Sequence, residues 1–354
     1  MMANNFNEFS KSSKEDWLKQ VEKDLKGKPI DDLNWNFDGM DFSPFYHSED
    51  NPNIAQINTS ESIQNSWEIS ESIRDKNPKE ANRKALEALN GGCTALTFIV
   101  DKEIVFDFGK VLKGIQLELI FTEFVLKGVD SLVFTEKFLI YVEGQGFDTE
   151  KIRGALYEEK PVKDMDILDV RRGLFPNMKM IKIASSLTSS TTEDLAKMLT
   201  KTKNHLKRHS DKKALGEAMI FQLSMDDFYF GNIAKIRAFR LLLQNLFHAY
   251  NISDYVPFIS VTINTSDPNR GENSNIIRAN TQSIAAVIGG VDLLKITFGL
   301  HTNGISFSNR IARNISHILD LESHLSRVKD PSAGSYFIET LTDSICEKAW
   351  KKFQ

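Results

Sequence analysis

The chain has 354 residues, of which 41% are hydrophobic and 26% charged, and its formal net charge of -4 is spread over interleaved acids and bases. This suits a folded protein with a sizeable core and provides no single-sign field to gather nucleic acid or an anionic membrane. Cys93 and Cys346 lie far apart without metal-ligand spacing, which points to a reducing cytoplasm rather than a disulfide framework. The start, "MMANNFNEFSKSSKEDWLKQ", lacks the apolar core of a signal peptide, and no run of about 18 apolar residues occurs, so neither export nor a membrane span is expected.

Residues 1–66 are rich in Asn, Asp and Ser, with a helical stretch near Trp17 to Leu25 and then scattered aromatics: Trp35, Phe37, Phe42, Phe45 and Tyr46. Such a segment cannot build its own core, so it reads as an extended arm laid on the rest of the chain or on a partner, with the aromatics expected against another subunit in a complete assembly.

From residue 81 short β-branched runs alternate with helical ones, the pattern of βα units around a parallel sheet. Eight runs qualify as strands: 93–100, 103–106, 115–121, 138–143, 178–185, 218–224, 256–263 and 292–298. Helical patterns such as "TTEDLAKMLTKTKNHL" and "FGNIAKIRAFRLLLQNLFHAY" lie between them. Eight strands over a span near the roughly 250 residues of a (β/α)8 (TIM) barrel predict that α/β fold, with a doubly wound open sheet as the alternative. The domains expected are an arm with a short helix over 1–66, the barrel over 67–327, and a closing turn and helix that begins a linker over 328–354.

A catalytic barrel carries its reactive groups at the C-terminal ends of its strands. Those positions hold Asp101, Thr122, Glu123, Glu143, Ser185, Ser186, Asp226, Asp227, Asn264 and the loop Gly299-Leu300-His301. Carboxylates from separate strands could bind a metal or move protons, but charged residues also gather at strand ends because loops are wet. His301 is a general-acid candidate by type, without an identified partner. His205 and His209 stand four apart, as zinc ligands on a helix can, yet their Lys-rich flanks read as a solvated helix face. "YVEGQGFD" completes no dinucleotide fingerprint, and no phosphate loop occurs.

Four blocks change this picture. "IAKIRAFRLL" (233–242), "NIIRANTQSIAAVIGG" (275–290), "RIARNISHIL" (310–319) and "DPSAGSYFIETLTDSICEKAW" (330–350) resemble the acyl-CoA mutases, the adenosylcobalamin-dependent enzymes typified by methylmalonyl-CoA mutase. A weaker likeness extends upstream through "NSWEISESI". Read physically, "AGSYFIE" is a tight turn into a helix that closes the barrel, and the arginines of "AKIRAFR" and "RIARN" are placed for neighbouring carboxylates or carbonyls.

The departures from the family pattern carry as much information. Where its catalytic subunits have the Arg and Tyr of a Trp-x-Ile-Arg-Gln-Tyr element, the resemblance places Ser70 and Ser72. Where they have a histidine that hydrogen-bonds the thioester carbonyl, it places Leu187. Their His-Thr-Asn falls near Lys295 to Thr297, whereas the "HTN" here is at 301–303, and no Asp-x-His-x-x-Gly cobalamin motif occurs. The resemblance therefore implies the small, non-catalytic subunit of a heterodimeric methylmalonyl-CoA mutase, inactive alone, stabilising a catalytic large subunit, or forming a homodimer when that partner is missing. It implies adenosylcobalamin in the holoenzyme but not on this chain. The alternatives are a catalytic mutase barrel whose cobalamin domain is a separate chain, and a barrel that binds CoA thioesters or regulates without turnover.

Overall fold

The computed structural model describes residues 12–50, 65–158, 165–186, 190–267, 269–298 and 304–354. Two short strands lie in the arm, β1 (Trp35–Phe37) and β2 (Met40–Phe42). The others are β3 (Glu68–Ile73), β4 (Ala95–Asp101), β5 (Phe121–Lys127), β6 (Arg153–Glu158), β7 (Met178–Lys179), β8 (Ile181–Ala184), β9 (Met219–Leu223), β10 (Ile259–Asn264) and β11 (Leu293–Thr297). They run parallel in the order β7-β6-β5-β4-β3-β11-β10-β9-β8. Only Met180 separates β7 from β8, and the two pair with opposite ends of the sheet. They are one physical strand in two pieces, and that strand closes the ring into a (β/α)8 barrel.

Helices follow the strands in turn: Pro78–Asn90, Phe108–Val111, Ser131–Gly144, Met165–Leu174, Thr191–Arg208, Tyr229–His248, Glu272–Ile288 and Ile305–His317. Several start on a side-chain cap, Asn77 accepting from the Lys79 amide and Ser190 from the Glu193 amide, which satisfies donors that have no partner within the helix. Apolar side chains such as Leu96, Phe98, Phe124 and Leu156 point outward from the strands and pack under these helices as the main core. None of the described helices is long and apolar enough to cross a membrane.

Eight strand positions were expected and eight occur, although their membership differs. The run 103–106 is loop, with Val105 81% exposed, because the chain turns immediately after Asp101. Residues 138–143 belong to the Ser131–Gly144 helix, which buries Phe134, Phe138 and Val142 but exposes Val133 and Ile140. With apolar residues on all sides, that helix shows no amphipathic period to separate it from a strand. The run 115–121 mostly precedes β5. The strands missed were β3, "EISESI", and β6, "RGALYE".

The arm meets the barrel of its own chain. Its helix, Lys14–Asp24, opens on a Ser13–Asp16 capping box, and Trp17 stacks on Phe45 at 4.3 Å. The hairpin turns at Asp38-Gly39, both at positive φ, which is the Asp-Gly chemistry of a two-residue hairpin. Asp38 accepts from the Thr192 amide at 2.8 Å, and Lys348 donates to its carbonyl. Trp35 meets Phe228 and Phe337, and Phe42 is buried. In the chain by itself the described arm aromatics find apolar company on their own chain, one of the two destinations the sequence leaves open.

The closing helix, Tyr336–Phe353, packs against the Thr191–Arg208 and Tyr229–His248 helices. Gly334, at φ +83°, makes the turn before it. Its amide donates to Glu339, which also takes Arg237 at 2.8 Å, while Arg237 reaches Asp330 at 3.0 Å. Arg240 serves the carbonyls of Pro257 and Gly290 as well as Asp292, and Arg313 holds Glu71. These arginines therefore reach carboxylates and carbonyls, as the sequence led us to expect, and act as clasps between barrel elements.

Candidate site in the barrel bore

Side chains alternate across each strand, so every second residue faces the bore. The floor is apolar and closed by Phe121 and Phe258, stacked 5.2 Å apart at 6°. Above it the bore turns polar. Glu123 accepts from Lys295 at 2.6 Å, from Thr97 at 2.5 Å and from the Tyr157 hydroxyl, and Ser70 bonds Thr97 at 2.9 Å. Five side chains from five strands thus form one network, and Glu123 is 3% exposed.

The electrostatics favour a charged centre. Burial alone would push the Glu123 carboxyl up, but the Lys295 ammonium and the three hydrogen bonds outweigh it and hold the group at about 2. Burial, with the Glu123 charge, pushes the Tyr157 phenol well above its ordinary range, so it stays a neutral donor. A buried carboxylate with its counter-ion and hydroxyls in place is satisfied internally. It is not poised to take a proton from a substrate.

Towards the mouth, Lys182 lies 5.0 Å over the Tyr157 ring, Gln222 donates to Thr262 at 2.7 Å, and Ser185 and Ser224 bond at 2.6 Å. The β3–β11 ladder stops at Ser70–Lys295. Beyond that point a cavity of about 190 Å³ opens between these strands and the Ile305–His317 helix, lined by Ser72, Glu71, Thr297, Asn309 and Arg313 among others. Burial raises the Glu71 carboxyl despite its bonds to Arg313 and Asn309.

The strand-end candidates are not brought together. Asp101 pairs with Arg74 at the surface, and Asp227 with Arg278. Thr122 faces outward into the core, and Asn264 accepts from Ser266. Asp226 accepts from the Phe228 amide. Glu143 is not at a strand end but near the end of a helix. Among the described residues no group of three or more His, Cys, Asp or Glu could hold a metal. His205 and His209 do not form a zinc pair or a solvated face: the helix ends at Arg208, and His209 is buried with its ring nitrogens 2.7 Å from Asp169 and 2.8 Å from the Asp211 carbonyl. Leu187 and the Gly299-Leu300-His301 loop lie outside the described residues. Of the network, Thr97, Tyr157 and the role of Lys295 went unread. Polar residues on the bore-facing side of otherwise apolar strands were the available signal.

The methylmalonyl-CoA mutase family model matches residues 188–354. A "Methylmalonyl-CoA mutase small subunit" of Porphyromonas gingivalis is 30% identical over 98% of this chain. This chain belongs to the methylmalonyl-CoA mutase family. A small subunit of Propionibacterium freudenreichii subsp. shermanii is 24% identical over 98% of the chain, and a "Methylmalonyl-CoA mutase" of Cereibacter sphaeroides 25% identical over 94%. The chain spans 63%, 62% and 57% of these three relatives' lengths. Within this mutase family, then, the likeness covers the arm and barrel together, and Ser70 and Ser72 stand in β3, one tied into the bore network and the other lining the small cavity beside it.

Proposed function

We propose that this chain is the small subunit of a heterodimeric methylmalonyl-CoA mutase, an isomerase acting between methylmalonyl-CoA and succinyl-CoA, and that it stabilises the catalytic large subunit without turning substrate over itself. The observation that carries the reading is the bore. At the level where a barrel enzyme needs groups free to meet a substrate, Glu123, Lys295, Tyr157, Thr97 and Ser70 are engaged with one another. Ser70 and Ser72 stand where the resemblance places an Arg and a Tyr, and neither can present a guanidinium fork or a phenol to an acyl-CoA.

Adenosylcobalamin, which in this reading belongs to the holoenzyme, supplies radical chemistry where it binds. Of the described histidines, His205, His209, His248 and His317 do not fit a cobalt-ligating role in the bore, because they stand at the C-terminal ends of barrel helices, on the side opposite the bore mouth. The chain's contribution would be a homologous surface for the large subunit in a soluble cytoplasmic complex, and obligate interfaces of that kind bury more than about 2,000 Å².

Co-expression with a large mutase subunit, followed by size exclusion and thermal melting, tests this. The expected result is co-elution, with the large subunit melting lower and losing activity when this chain is omitted. A large subunit equally soluble, stable and active without it would contradict the proposal.

A further inference from the structure

A sizeable cavity lies outside the bore, apart from the polar network. It measures about 650 Å³ and is built by three separate segments: the arm around residues 43–46, the start of the Tyr229–His248 helix, and the turn into the closing helix. That size is within the range of small-molecule pockets. Seven of its eleven lining residues are aromatic, and apart from one proline none is an aliphatic of the Val, Leu, Ile or Met kind. Phe337 sits at the hub, with Trp35, Tyr46 and Phe230 around it at centroid distances of 5.8, 5.5 and 5.5 Å. Phe230 and Tyr336 are 46% and 37% exposed, a high value for large aromatic rings beside an open cavity.

We infer that this cavity binds a small molecule through a planar, uncharged aromatic or heteroaromatic ring. The lining decides the class. Aliphatic chains and amphipathic helices are received by Leu, Ile, Val and Met, which are missing here, whereas flat rings are received by aromatic faces and edges. No lining residue carries a charge, so a charged body would lose its hydration without a counter-ion. Polar atoms at the ring's edge would meet the hydroxyls of Ser43 and Ser335; Ser335 precedes the closing helix without capping it through its side chain. The arm is a wall of the site, so its docking on the barrel and ring binding are linked.

Titrating the chain with indole and adenine, and with n-octanol as an aliphatic control, by ligand-observed saturation-transfer NMR tests the inference. The ring compounds should bind with a Kd below about 1 mM, and octanol at least about tenfold more weakly. A Phe230→Ser, Tyr336→Ser double variant should weaken the ring compounds about ten- to hundredfold, the loss of stacking partners, with an unchanged thermal melt. If that variant does not fold, ring-proton contacts to Trp35 and Phe337 in the unmutated chain decide: their presence supports the site, and contacts confined to other surfaces overturn it. The inference is also overturned if octanol binds as tightly as the rings, if the folded double variant binds them undiminished, or if no ring compound binds at millimolar concentration. Protection of Phe230 and Tyr336 only on adding a large mutase subunit, without ring binding, would overturn it in favour of a protein contact.

Discussion

The bore and the rim cavity are opposite solutions to lining a space. In the bore, polar side chains from five strands satisfy one another around a buried ion pair, so the space is filled and its groups are engaged. At the rim, aromatic side chains from three segments surround a space they leave open. A barrel enzyme is expected to show the reverse, with unengaged polar groups at the bore mouth and packed aromatics outside it. The difference teaches that polar groups at the chemistry-bearing level of this barrel are engaged with one another, while the open, aromatic-lined space lies outside it.

The sharpest way to break the comparison is to remove one partner of the ion pair. Lys295→Met leaves the Glu123 carboxylate buried without its counter-ion and should cost about 3–5 kcal/mol in urea unfolding. The Glu123→Gln, Lys295→Met double variant should recover most of that loss. A single variant within about 1 kcal/mol of the unmutated chain would mean the bore is wet and open.

Truncating the hairpin comes next. Phe42→Ala should cost about 3 kcal/mol, because the side chain is buried between arm and barrel. Destabilisation near zero would show that the arm does not rest on its own chain in solution.

The acid limb reports on the same ion pair more gently. The folded carboxyl of Glu123, at about 2, lies below its ordinary 4.5. Its contribution is therefore complete above pH 4.5 and is lost as the pH falls from there towards 2. Glu123→Gln should flatten the stability profile in that window. An unchanged slope would show that the carboxylate is not held as the geometry indicates.

The smallest effect belongs to the rim. Phe230→Ser alone should change stability by no more than about 0.5 kcal/mol, since nearly half of the ring is exposed. A loss several times larger would make the cavity a packing feature rather than an open one.

Much of this was legible from sequence, and what was not has physical causes. The barrel follows from alternating runs, and the arginine clasps from their place on apolar helices. β3 escaped notice because its bore face carries Glu68, Ser70 and Ser72 and its outer face Glu71, so the run reads as polar. β6 was hidden by Gly154, which is needed because a Cβ there would lie 2.0 Å from the Thr122 carbonyl oxygen. The strand misread at 138–143 is a helix without a polar side. In the bore network Glu123 and Lys295 bond directly across 172 positions, and no local motif encodes such a pair. The rim cavity was foreshadowed only by aromatics in a polar arm, whose destination the sequence alone left open.

The central claim, that this barrel turns over no substrate, is tested most directly in the assembled complex. Ser72 lines the cavity beside the bore at a place where the resemblance expects a substrate-contacting residue, and it is only half-buried. The complex of a large mutase subunit with the Ser72→Ala chain should isomerise methylmalonyl-CoA with kcat/KM unchanged within about twofold, because no transition-state contact is removed. A fall of about tenfold or more, with the complex intact by size exclusion, would place this bore in the reaction and contradict the account.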